Sequence, residues 1–237
     1  MHTDAPSRLL EILKQLLYQS DRSQREAWAP VLGVEPKDTS GLLLGIASVV
    51  MLVAEAKEKI SAVIGGKNPE LHLQAFDHLD RVFATLNLDS NANTFLHYVK
   101  EAESTLRFSV DLVGRIDMAG ELDEALLTEL IEDVNAHLEA LISSGLPADA
   151  RVVLHHRLTR VRDAAEGLRL RGIAHLASTL DATAGAAMRV NKDLNDPKQR
   201  QWYKGLANTI NLGHAIISVA EKVKQIPEIG EKLLGSG

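Results

Sequence analysis

Residues 122–168 read LDEALLTELIEDVNAHLEALISSGLPADARVVLHHRLTRVRDAAEGL, and this stretch decides the fold class. Leu122, Leu126, Leu130, Val134, Leu138 and Leu141 form an almost unbroken four-residue repeat, with Leu127, Ile131 and Ile142 beside it. Apolar side chains at that spacing share one face of an α-helix. Ser143-Ser144-Gly145-Leu146-Pro147 interrupts the pattern. Gly stands where a left-handed C-cap is wanted, and Pro opens the next helix. Leu154, Leu158, Val161, Ala165 and Leu168 then resume at helical spacing. So short a connection makes the two helices antiparallel neighbours.

Charge follows the same division. From Ile116 to Ala150 there is no Lys or Arg, against nine acids. From Arg151 to Lys204 there are eleven bases and five acids. An acidic helix therefore lies against a basic one. Each exposed pair is worth only about 0–1 kcal/mol, so the polarity serves mainly to favour this hairpin over mispairings.

Working outward, the same periodicity recurs along the chain. Pro6 and Ser7 open a helix to about Gln19, carried by Leu9, Leu10, Leu13, Leu16 and Leu17. A short helical element at Gln24–Leu32 holds Trp28 and is closed by Gly33 and Pro36. Thr39 or Ser40 caps a long helix reaching Ile64, ended by Gly65-Gly66. Asn68-Pro69 starts the next, with Leu73, Phe76, Leu79, Phe83 and Leu86. After a polar break at Asp89–Asn93, a helix from about Thr94 presents Phe95, Val99, Ala102, Leu106, Val110 and Val113. Arg171-Gly172 marks a kink, and Ile173–Arg189 is an Ala, Ser, Thr and Gly-rich helix expected to pack closely on a neighbour. The last helix runs from about Lys198 to Gln225, with Trp202, Leu206, Ile210 and Ile217 inward and Pro227 as its stop. No strand pattern competes.

These readings predict an all-α fold: a multi-helix bundle of about seven to nine helices and no sheet. Residues 1–237 are read as a single helical bundle domain, with a point of subdivision near 118–120 at Met118-Ala119-Gly120. Aromatics make up only 4% of the chain, so Leu, Ile, Val and Ala must build the core.

Composition narrows the function. With no Cys, disulfides, zinc–thiolate sites and Cys nucleophiles are excluded, and a reducing, cytoplasmic setting is expected. The N-terminus does not read as a signal peptide. A net charge of -6 disfavours non-specific nucleic-acid binding. No Glu is followed three positions later by His, as di-iron bundles require. His-Glu-x-x-His, a Walker loop and Gly-x-Ser-x-Gly are also missing. His97 with Glu101, and Asp133 with His137, share helix faces without completing a metal set, and His155-His156 diverge around their helix. No metal, cofactor or catalytic residue is assigned, and the chain reads as non-enzymatic.

Two features remain as candidates. Arg157, Arg160, Arg162, Arg169 and Arg171, with Trp202-Tyr203, are the candidate interaction residues. They can meet an anion or nucleotide, or serve as a solvated face paired with the acidic helix. The charge-free run Gly41–Ala54 is the other. At fourteen residues it is short of the roughly 20 that span a bilayer. A run apolar on all sides is expected in the middle of a bundle; the alternative is a helix that inserts into a membrane, as in a pore-forming effector.

Ala27-Trp28-Ala29-Pro30-Val31-Leu32-Gly33-Val34 follows the first helix, and the Leu146-Pro147 turn leads to Leu168-Arg169-Leu170-Arg171-Gly172 and Ile173–Leu176. These stretches resemble a widespread set of uncharacterised bacterial all-helical proteins, carried as accessory genes. The likeness covers most of the chain but transfers no activity and no site residue; it implies an accessory role such as phage defence. The expectation is thus a helical interaction module that binds a protein partner or self-associates as an oligomer.

Overall fold

A computed structural model describes residues 4–64, 69–116, 122–191 and 196–234. Among them are nine α-helices: α1 Ala5–Leu17, α2 Gln24–Leu32, α3 Thr39–Ile64, α4 Pro69–Ala84, α5 Asn93–Ile116, α6 Glu124–Ala140, α7 Ala148–Glu166, α8 Leu168–Asn191 and α9 Pro197–Leu234. No strand occurs among the described residues, so the chain is an all-α, multi-helix fold. The backbone divides into two compact units, Asp4–Met118 and Ala119–Gly237.

In the N-terminal unit α1, α3, α4 and α5 close a ring, each packed on the next, and α2 adds to α1 and α3. Leu9, Ile12, Leu16, Leu42, Ile60, Phe76 and Phe95 fill the centre. The helix starts are set by side chains that accept orphaned backbone N–H groups. Asp4 accepts from Ser7 N at 2.9 Å and begins α1. Ser23 and Glu26 form a capping box on α2, whose other end turns at Gly33 with φ 69°. For α3 the acceptor is Asp38, bonded to Gly41 N at 2.9 Å, in place of the expected Thr39 or Ser40.

Two long-range polar contacts hold this unit in register. Arg8 of α1 is 1% exposed, and its Nη2 donates to both carboxylate oxygens of Glu55 on α3, at 3.0 Å each. Gln24, fully buried at the head of α2, lies 2.9 Å from Ser90 Oγ and 3.1 Å from Thr94 Oγ1, and its Oε1 accepts from Asn87 N. Backbone bonds from Gln24 to Ser90 and from Arg25 to Leu88 complete the clasp. The α4–α5 connection is thereby fastened to α2, and Trp28 stacks on Phe95 with centroids 6.0 Å apart.

The C-terminal unit is a second ring: α6 packs on α7, α7 on α8, α8 on α9 and α9 on α6. The hairpin read from residues 122–168 is present. Leu130, Val134 and Leu141 of its first arm and Leu154, Leu158 and Val161 of its second are buried in one core, with Gly145 at φ 73° in the turn. Gly172 breaks the helical path of α8 at φ 76°, ψ 171°. The close approach expected from the small residues of α8 is made by a glycine opposite them. A Cβ on Gly213 of α9 would stand 2.6 Å from Leu180 Cδ1 of α8.

Two expectations are corrected. The helical backbone of α9 continues through Pro227 to Leu234, since the proline removes one backbone hydrogen bond while the flanking turns keep theirs. The Gly41–Ala54 run is not buried on all sides. Leu42, Ile46, Val49, Leu52 and Val53 are buried on one flank of α3, whereas Leu43, Leu44, Val50 and Met51 on the other are exposed. The expected breaks at Gly65-Gly66 and Met118–Gly120 lie outside the described residues.

Replacing Gln24 by Leu keeps the volume but leaves Asn87 N–H and the Ser90 and Thr94 hydroxyls without their buried partner. We expect a loss of about 1–3 kcal/mol, measured by urea unfolding in a Trp202→Phe background, where Trp28 fluorescence is the local signal.

Candidate interaction surface

The predicted arginines do not form one surface. Arg157 and Arg162 of α7 and Arg169 of α8 are half-buried, whereas Arg160 and Arg171 are exposed. Arg162 is engaged along its own helix, 3.4 Å from Asp163 and 3.9 Å from Glu166. The pKa of His175 is held below its ordinary value by burial and then by the charges of Arg171 and Arg160. Trp202 is 8% exposed and belongs to the core, edge-on to His137 at 5.6 Å. It offers no stacking platform to a ligand. Tyr203 is half-buried, and burial raises its pKa.

The pair Asp133 and His137 acquires a third member that sequence spacing does not reveal. Thr209 of α9 donates to Asp133 Oδ2 at 3.2 Å and lies 3.1 Å from His137 Nε2. Donors and acceptors are satisfied when His137 Nε2–H donates to Thr209 Oγ1 and Thr209 donates onward to Asp133. The ring fits because residue 205 is glycine: a Cβ there would be 2.8 Å from His137 Cε1. Thr209 is 3% exposed, so its hydroxyl meets no substrate; the chain of bonds ties α6 to α9. Among the described residues no group of three or more His, Asp or Glu is placed to hold a metal ion.

The outstanding surface feature is the flank of α3 left uncovered. Leu43, Leu44, Val50 and Met51 are 51%, 69%, 42% and 71% exposed, with Ala47 and Ala54 exposed between them. At 100° per residue these six positions fall in one stripe about 120° wide. The inner stripe of the same helix, Leu42, Ile46, Val49, Leu52, Val53 and Ala56, is buried. Thus α3 is amphipathic in burial but not in composition. It is long and apolar enough to cross a membrane, and only 33% of its most apolar window is buried. Four large neighbouring side chains expose a few hundred Å² of apolar surface, the scale at which a patch marks an interaction site. A smaller apolar depression lies on the α6–α7 hairpin, lined by Leu138, Ile142 and Val152 and rimmed by Arg151, His155 and His156.

Charges bracket the α3 stripe at both ends. Glu35, Lys37 and Asp38 precede it, and Glu55, Lys57, Glu58 and Lys59 follow. Lys57 Nζ stands 5.8 Å from the Phe76 ring centroid. Each bracket mixes signs, so neither end carries a surplus of positive charge.

Burial, ahead of the opposing effect of Asp133, lowers the His137 pKa from 6.5. The unfolded chain then binds the proton more tightly than the folded one, so stability is complete above pH 6.5 and falls as pH drops below it. In a Trp28→Phe background, Trp202 fluorescence should report a lower urea midpoint at pH 5 than at pH 7.5, and His137→Gln should flatten that dependence. No protein-family model, curated protein or solved structure matches this chain.

Proposed function

We propose that the chain is a non-enzymatic helical interaction module that docks a protein partner through the outer flank of α3. One observation carries this: a continuous apolar stripe on a helix whose other flank is already used by its own core. Exposing such a stripe costs solubility, and its retention is understandable where another polypeptide covers it. The reading is compatible with the accessory or defence setting that the resemblance implies.

A second reading has its own support, because α3 has the length and hydropathy of a bilayer span. Three observations favour the protein partner. The brackets lack the Lys and Arg surplus that draws a segment to an anionic leaflet. Neither Trp nor Tyr stands at the ends of the run to anchor it at an interface. Withdrawing α3 would also strip the carboxylate of Glu55 from the buried Arg8 guanidinium. The third reading, an anion-binding regulator using the α7–α8 arginines, is weakened by the burial of Trp202 and the ion pairs of Arg162.

A photocross-linking amino acid in place of Met51, expressed in the native host, should give discrete polypeptide adducts. The same group at exposed Lys100 should not, and Leu44→Lys should remove the adducts. Lipid adducts with leakage of vesicles would instead favour the membrane reading, and no adduct at all would remove the docking role.

A further inference from the structure

We propose that the groove on the α6–α7 hairpin binds an anionic amphiphile: a single alkyl or aryl chain that ends in an oxyanion. The groove belongs to the C-terminal unit, so the proposal goes beyond the docking role of α3 and does not depend on it.

The groove holds about 670 Å³, within the roughly 300–1,000 Å³ of small-molecule sites. Leu138 and Ile142 come to it from the first arm of the hairpin, and Ala148 and Val152 from the second. Ile142 is 81% exposed and Val152 69%. A chain laid against both would remove apolar surface from water on each side.

The polar part of the groove carries one sign of charge. Arg151, His155 and His156 line it, and no carboxylate does. Glu139 and Asp149, the acids adjacent in sequence, are not among its lining residues. Arg151 and His155 are four positions apart on α7, so they project from one face, a turn apart. Arg151 Nη1 donates to Ile142 O at 3.3 Å, which holds the guanidinium beside the apolar wall. That bond uses one donor of five in a planar fork, and Arg151 makes no ion pair among the described residues. The remaining N–H groups suit an oxyanion, for which a planar fork is the best side-chain match. Thr159, one turn beyond His155, adds a hydroxyl to the same side.

The extent of the groove selects a small molecule over a polypeptide. Positions 148, 152, 155 and 159 form one row on α7, and only Ala148 and Val152 in it are apolar, over about 6 Å of helix. The row then reaches Arg162 and Asp163, which are charged and bonded to each other. A docked amphipathic helix seats anchors at i, i+3 or i+4, and i+7, and this row supplies no apolar surface for the last of them. A single chain needs only the short apolar part, with its charged end one turn away at Arg151 and His155.

Decanoate below its micellar concentration is the probe, with decanol as the chain without the charge and acetate as the charge without the chain. Isothermal titration of the full chain should show saturable one-to-one binding of decanoate, with decanol and acetate each about tenfold weaker or worse. Arg151→Gln should weaken decanoate about tenfold and leave decanol unchanged, since a charge-assisted bond is worth about 1.4 kcal/mol or more. Val152→Glu should abolish binding, because it sets a like charge in the apolar part. Circular dichroism checks the fold of both variants, and Leu44→Lys on α3 should bind decanoate as the wild type does. A diazirine-bearing decanoate should place its adducts within residues 138–159. The proposal is overturned if decanoate does not saturate by about 1 mM, if decanol binds as tightly, if Arg151→Gln binds like the wild type, or if the adducts fall on α3.

Discussion

Four rods closed into a ring can each hide only the stripe that faces inward. That constraint governs both units. It asks every helix for one apolar stripe, and α1 meets the request economically: Leu9, Ile12, Leu13 and Leu16 face the centre while Glu11 and Lys14 face away. Burying a large aliphatic side chain contributes about 1.5–3 kcal/mol, and the ring collects such contributions from every member. A helix apolar around its whole circumference exceeds what the ring can cover. In α3 the surplus is therefore left facing water.

Polar contacts do a different job from the apolar stripes. Burial tolerates rotation and sliding of a helix, whereas Arg8–Glu55, the Gln24 clasp and the Asp133–Thr209–His137 chain each demand one arrangement. The glycines act with them. Gly205 and Gly213 let His137 and Leu180 lie against the α9 backbone, where a Cβ would make the ends of those side chains shift.

The all-helical fold, most helix limits and the 122–168 hairpin were legible because each depends on neighbours three or four residues away. The end of α2 could be read from Gly33, and the structure turns there. What escaped depends on partners far along the chain. His137 and Thr209 are 72 positions apart, and no local spacing announces their bond. Trp202 read equally as an inward residue of α9 and as a partner for the nearby arginines; only the position of α6 decides for the interior. Gly41–Ala54 was misjudged for the same reason. Composition states that a helix is apolar, but the number of helices around it determines how much of it is covered.

The Gln24 clasp has a consequence for how the protein is made. Its partners lie 61 to 70 positions downstream. At about 5–20 residues per second on the ribosome, several seconds separate the appearance of Gln24 from that of Thr94. Throughout that interval the amide has only water, and α2 lacks the bonds that fasten it to the α4–α5 connection. The whole of α3 emerges during the same delay. A nascent chain thus displays both flanks of its most apolar helix before the clasp can form, and this is the moment at which a chaperone would have most to hold.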